Sequence, residues 1–210
     1  MDSDLWSLRH QRRSPSNALP KVVAKSVLQA LTAFADMDGQ GTAVHTDVNP
    51  NNILVSGADS ASPIVKLADL GGLIRSGRCF DERIQGLAIR APEVWMGKPV
   101  TPACDVWSVG VSILSKSPET SKAAWSIGNL FQLVGLFPWD KDSQYAEEFE
   151  LAKSLVTGGL IGTKSLEDEL SVMKVPKDCV EFICHLLTWD PDERPTAEQA
   201  LRHPWLQDVA

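Results

Sequence analysis

This sequence has little that would tie it to an oxidising compartment or a membrane. Its four cysteines, Cys79, Cys104, Cys179 and Cys184, form no C-x-x-C pair and have no histidine at a zinc-ligand spacing. Reduced thiols are therefore expected, rather than a disulfide framework or a structural zinc. There is no N-x-[ST] sequon, and the stretch from Met1 to Ser14 is charged with no apolar h-region, so no signal peptide is expected. No apolar run approaches the length of a membrane span. Internal repeats and low-complexity tracts are also missing. Basic residues are outnumbered, 20 Lys+Arg against 27 Asp+Glu, for a net charge of -7. That balance argues against partners such as nucleic acid or an anionic membrane and favours basic ones. A cytoplasmic or nuclear location is the expectation.

What is present fits one globular domain. A chain of 210 residues, 43% hydrophobic and 22% charged, can bury a sizeable core. Residues 1–19 are polar, with Arg9, Arg12 and Arg13, and read as an arm or loop. Pro20 suits a first helical turn. Val23, Val27, Leu31 and Phe34 then recur at helical spacing, and Gly39 and Gly41 are expected to end that helix. Ile53–Val55 and Ile64–Leu67 read as short strands joined by a turn containing Gly57 and Asp59. Residues 70–90 show no period and read as loop. From Asp105 to Leu114 the chain is apolar nearly all round, as in a buried helix that ends early before Pro118. Further helices are expected over 125–134 and 175–189, the latter capped by Asp178 with Glu181, and a last one is capped by Thr196 with Gln199. The fold class is mainly α, in the α+β sense, over residues 20–206, with 207–210 as a tail.

The chemistry concentrates in His45-Thr46-Asp47-Val48-Asn49-Pro50-Asn51-Asn52, which reads H-x-D-x-x-x-x-N and runs into a strand. Phosphoryl transfer needs a carboxylate base to accept the proton of the attacking hydroxyl and oxygen ligands for magnesium. A tight turn holds Asp47 and Asn52 on one side, and Asp69, just after the next strand, offers a second carboxylate. Either aspartate alone reads as a turn or cap residue. The order of the whole set is more telling: Asp69-Leu70-Gly71, Ala91-Pro92-Glu93, Asp105-Val106-Trp107-Ser108-Val109-Gly110, and Arg194 within Asp190-Pro191-Asp192-Glu193-Arg194-Pro195-Thr196.

Together these segments resemble the catalytic core of the eukaryotic protein kinases, over about residues 20–206. The resemblance implies a kinase C-terminal lobe with a small β-hairpin at the active cleft and no N-terminal lobe, since no glycine-rich loop or strand lysine precedes His45. It implies ATP and Mg2+ as cofactors and a protein Ser/Thr substrate. By the same resemblance Asp47 is the catalytic base, and Asn49 stands where Ser/Thr kinases carry a lysine. Asn52 and Asp69 ligate magnesium, and with Leu54 they line the nucleotide site. His45 packs under the Asp69 loop, Asp105 anchors the catalytic loop, and Glu93 and Arg194 form a buried ion pair. Thr46 makes the loop H-T-D, similar to the SR-protein kinases and their fungal relatives, which implies Arg/Ser-rich substrates. A catalytically inactive lobe or fragment serving as a binding module is the rival reading; Asn49 and the missing upstream lobe both favour it for this chain alone, which is expected to have little or no kinase activity. A small-molecule kinase shares H-x-D-x-x-x-x-N but not the Ala91-Pro92-Glu93 or Arg194 segments. His185, His203 and the tryptophans read as packing residues. Glu147, Glu148 and Glu150 read as a solvated face, with docking of a basic peptide as the alternative. Ile53, Leu54 and Leu70 are expected to be exposed apolar groups at the top of the cleft.

Overall fold

The computed structural model describes residues 1–9, 18–34, 42–79, 84–114, 127–128, 130–131, 135–139, 141, 145–159 and 166–207. Its elements, in chain order, are β1 (Ser3–Asp4), α1 (Leu5–Arg9), α2 (Leu19–Ala33), β2 (Ala43–Val44), β3 (Ile53–Ser56), β4 (Ile64–Leu67), β5 (Ile74–Arg75), α3 (Pro92–Trp95) and α4 (Ala103–Leu114). Then follow α5 (Ala146–Thr157), α6 (Leu166–Val172), α7 (Lys177–Leu186) and α8 (Ala197–Leu201). No helix among the described residues is long and apolar enough to cross a membrane.

Helix α2 begins with Pro20 in its first turn, where a missing N–H costs nothing. Its stripe buries Val23, Val27 and Leu31 and broadens to Leu19, Ala24 and Leu28. The helix stops at Ala33, with the Phe34 N–H donating to Leu31 O and Thr32 O. Gly39 and Gly41, expected to end it, lie outside the described residues. Helix α4 is buried on most sides, as its composition requires, and packs on α7 and α2. At Gly110 a Cβ would sit 2.8 Å from Leu187 Cδ2 and 3.1 Å from Leu186 Cβ. Only hydrogen fits there, and this glycine sets how closely the two helices approach. Helix α7 departs from expectation at its start. Pro176 is the N-cap, and Asp178 falls inside the first turn, where its carboxylate accepts from the Cys179 N–H. Proline holds the extended φ that a cap residue needs, so the helix starts there without a side-chain cap. At α8 the capping box forms: Thr196 Oγ1 accepts from Gln199 N at 3.1 Å, and Gln199 Oε1 accepts from Thr196 N at 2.8 Å. Of the helix expected over 125–134, the described residues Ile127, Gly128, Leu130 and Phe131 are helical.

The hairpin β3–β4 has Ile53 opposite Leu67 and Ser56 opposite Ile64. The polar start of the chain does not behave as a loop. Ser3 and Asp4 pair antiparallel with Val55 and Leu54, giving the sheet order β1-β3-β4. Asp4 then caps α1, accepting from Ser7 N at 2.6 Å and Ser7 Oγ at 2.7 Å, and Leu5 joins the core. Residues 10–17 lie outside the described part. The expected exposure of the cleft is corrected by the alternation along β3, whose Ile53 and Val55 face the core. Ile53 is buried, Leu54 is half-buried, and only Leu70 stays exposed, at 51%. The segment 70–90 also contains structure that no period announced. Leu70–Gly72 is a 3-10 turn, and β5 pairs with β2.

Candidate active site

The loop between β2 and β3 is shaped by what its backbone lacks. Thr46 has φ 67°, left-handed for a β-branched residue and strained there. Asp105, near the start of α4, offsets the strain. One carboxylate oxygen accepts from His45 N at 2.7 Å and the other from Thr46 N at 2.9 Å. Thr46 Oγ1 donates to Gly72 O at 2.9 Å, tying this turn to the one after Asp69. Ser112, two turns along α4 from Asp105, donates to Val48 O at 3.2 Å. Burial pushes the Asp105 carboxyl up to about 7, against the pull of its two amide N–H partners.

His45 is fully buried and fixed in one tautomer by its neighbours. Its Nδ1 accepts from Asp47 N at 3.3 Å, so Nε2 carries the proton to Ala68 O at 3.1 Å. Burial lowers its pKa, which keeps the ring neutral. The ring thus bridges the Asp47 loop and the strand end leading to Asp69.

Asp47 is half-buried. Asn49 Nδ2 donates to its Oδ1 at 2.8 Å, and Asn52 Nδ2 donates to its Oδ2 at 2.7 Å and to its carbonyl at 2.9 Å. These donors fix the Asn52 amide with Oδ1 turned away from Asp47. No hydrogen bond to that oxygen is formed among the described residues. Ala68 N donates to Asn52 O at 2.8 Å, which sets Asn52 and Asp69 at the same end of the hairpin. Asp69 has φ 61° and is exposed; its Oδ1 accepts from Gly71 N at 3.3 Å. An amide oxygen and a carboxylate with spare lone pairs are hard oxygen donors. One or two such groups are what magnesium takes from protein when phosphate oxygens complete its shell. No cluster of three His, Cys, Asp or Glu able to hold a metal occurs among the described residues. The donor set therefore suits a cation that arrives with a phosphate-bearing ligand. Leu54, half-buried on β3 between Asp4 and Lys66, faces away from the buried Ile53 and Val55.

Glu93 and Arg194, 101 residues apart, meet in a bidentate pair at 2.7 and 3.0 Å. Arg194 also donates to Thr188 O, Ala103 O and Trp189 O and lies over the Trp107 ring at 5.0 Å. Sequence reasoning missed a second buried polar knot. Gln85, also at positive φ, accepts from Ala91 N and donates to Cys104 O and Ser108 Oγ. Arg90 donates to Ile84 O, Gln85 O and Tyr145 OH, with its guanidinium 4.4 Å from the Trp95 ring. The available signal was Ser108, which with Asp105 and Ser112 is one of three polar residues in an otherwise apolar helix. A lone glutamine in a stretch without period gives none.

Fold and loop together define the class of domain to which the chain belongs. The chain belongs to the protein kinase domain family, whose model matches residues 1–206. It is 28% identical over 222 residues to the human serine/threonine-protein kinase MAK, covering 99% of this chain and 33% of that protein. It is 30% identical over 231 residues to cell division control protein 2 homolog 3 of Trypanosoma brucei brucei, covering 100% of this chain and 67% of that one. It is 29% identical over 207 residues to the DYRK-family kinase pom1 of Schizosaccharomyces pombe, covering 91% of this chain and 19% of that one. The chain thus spans about a third of the length of the MAK kinases it matches.

Proposed function

We propose that this chain carries the helical C-terminal lobe of a serine/threonine protein kinase, with transfer of the ATP γ-phosphate to a protein hydroxyl as its reaction. The observation that carries the reading is the Asp47–Asn52 bond at 2.7 Å, at the hairpin end that also delivers Asp69. Asp47 takes the proton of the attacking hydroxyl. Its orientation is set by the Asn49 and Asn52 amides, and its loop is held by Asp105. Asn52 Oδ1 and the Asp69 carboxylate are the groups that would hold magnesium, which when bound neutralises charge on the phosphates. Leu54 supplies apolar surface beside them. A narrower reading takes the substrate to be Arg/Ser-rich. It is supported by Thr46 in the H-T-D loop and by the net charge of -7.

The test is radiolabelled ATP with a basic Ser/Arg peptide, comparing the chain with its Asp47→Asn variant. General-base catalysis is worth about 10²–10⁴-fold, and that loss is the expected result. Equal transfer by both proteins would overturn the assignment of Asp47. A second reading, an inactive lobe that binds a partner, is favoured by the Asn49 amide 2.8 Å from Asp47 Oδ1, at the position where the family's lysine stands. Absence of transfer from both proteins, with magnesium-dependent nucleotide binding intact, would select it.

A further inference from the structure

Far from the Asp47 loop, the last turn of the chain is closed by a titratable side chain. After α8 comes a 3-10 turn, Pro204–Leu206, which buries Trp205 and Leu206 and packs on α2 and α7. An N–H in the first turn of a helix has no carbonyl of that helix to bond. Here the Trp205 N–H donates to Nδ1 of half-buried His203 at 3.2 Å, so the imidazole caps the turn. Nδ1 can accept only while it carries no proton, which places the ring proton on Nε2. A second proton must go to Nδ1. It turns the acceptor into a donor that faces the Trp205 N–H.

The surroundings work against that second proton. The Phe182 ring of α7 packs edge-on at 5.2 Å, and the His185 ring, also on α7, lies at 5.7 Å. Helix α7 further brings Glu181 and Asp178, with Glu181 3.5 Å from Lys177. From α2, Lys21 sits 5.7 Å over the Trp205 ring. On the preceding helix Arg202 is paired with Glu198. Burial pushes the Cys179 thiol of α7 up to about 11, so it does not titrate with a histidine. Burial, and then His185, lower the pKa of His203, and the two carboxylates oppose them without reversing the direction. The fold therefore selects the neutral ring, the form that can cap.

We propose that His203 is a pH-operated cap: its neutral Nδ1 holds the Pro204–Leu206 turn on α2 and α7, and protonation at that atom releases the turn and uncovers Trp205. The inference does not depend on the kinase reading. A histidine whose folded pKa lies below its ordinary 6.5 contributes fully above that value. The contribution is lost as pH falls through the lower, folded value, so the turn opens on acidification.

The experiment follows amide-exchange protection of Trp205 and Leu206 by NMR from about pH 8 to about pH 5, a range in which histidine changes charge. The imidazole resonances of His203 are titrated in the same samples. Wild type is compared with His203→Asn, His203→Ala and His185→Gln. Losing one net hydrogen bond corresponds to about tenfold in an equilibrium. Protection in wild type should therefore fall about tenfold, in step with the His203 titration, while the Val27 and Leu28 amides of α2 keep theirs. Asparagine is a preferred cap whose oxygen does not titrate, so His203→Asn should stay protected at every pH. His203→Ala should be about tenfold less protected already at the alkaline end, and level from there. His185→Gln removes a neighbouring charge, and the wild-type loss should move to higher pH. Protection that stays level through the His203 titration would overturn the proposal. So would an acid loss in His203→Asn equal to that of wild type, or one shared by Val27 and Leu28, which would mark global unfolding.

Discussion

The surroundings of Arg194 and of Asp47 are both polar and both packed against α4, yet they are finished to different degrees. Arg194 has five N–H donors, and all five are spent, two on Glu93 and three on carbonyls. Nothing there is left for a ligand. Around Asp47, two amides steady the carboxylate, but Asn52 Oδ1 is not hydrogen-bonded among the described residues and Asp69 is exposed. The first region is closed and reads as architecture. The second keeps acceptor capacity in reserve on a backbone held by force, with Thr46 and Asp69 both at positive φ. In a low-dielectric interior an unpaired charge is costly, so a polar group left incomplete at the rim of a core is a candidate site for chemistry.

The contrast is most exposed to failure at Glu93. Glu93→Ala leaves a buried guanidinium without its partner, and breaking a buried pair on one side costs about 3–5 kcal/mol. Chemical denaturation should show that loss, as a falling midpoint with expression reduced. A cost under about 1 kcal/mol would mean the junction is not structural, and the contrast between the two regions would collapse. Asp105 tests the other side, because the support of the Asp47 loop titrates. Its folded pKa, raised by burial to about 7, lies above the ordinary 3.8. A group raised in this way favours the folded state most below pH 4, and the contribution is lost as pH rises through about 7. The stability advantage of wild type over Asp105→Asn should therefore shrink between pH 4 and pH 7. A difference flat with pH would show the carboxylate ionised throughout by its two N–H partners. The smallest effect is at Thr196, two residues beyond Arg194. Thr196→Ala removes one capping bond and should cost about 1 kcal/mol, with activity unchanged. A much larger loss would mean that the cap, rather than Arg194, fixes this corner.

Much of this was legible in the residues, and the rest was hidden for physical reasons. The α2 stripe, the buried α4 and the Thr196–Gln199 box follow from helical periodicity and capping chemistry, which are local. The hairpin was readable because Ile53–Val55 and Ile64–Leu67 are short apolar runs flanked by turn residues. Strands β1, β2 and β5 were not, because two-residue strands carry no period and are defined by their partners. Ser3 and Asp4 read as polar arm until Val55 and Leu54 are placed beside them. The same holds for Gln85 and Arg90, whose partners Cys104, Ser108 and Tyr145 lie 19 to 55 residues away. At the site, sequence spacing brought Asp47, Asn52 and Asp69 to attention as a set. The amide of Asn49 on Asp47 was not legible, because a contact between side chains two residues apart depends on how the turn folds.

The placement of Ser3 and Asp4 along β3 has a colloidal consequence. An open strand edge is a template on which other chains add and aggregate. With a neighbour on each side, β3 becomes the central strand of its sheet, and the strand that follows Asn52 offers no vacant backbone to a passing peptide. The other outer strand of the sheet is β4, a four-residue strand with Lys66 exposed on it. Short length and a lysine are the means by which natural sheets discourage edge-to-edge growth. The residues that look most dispensable in the sequence therefore shield the hairpin beside the site from polymerising.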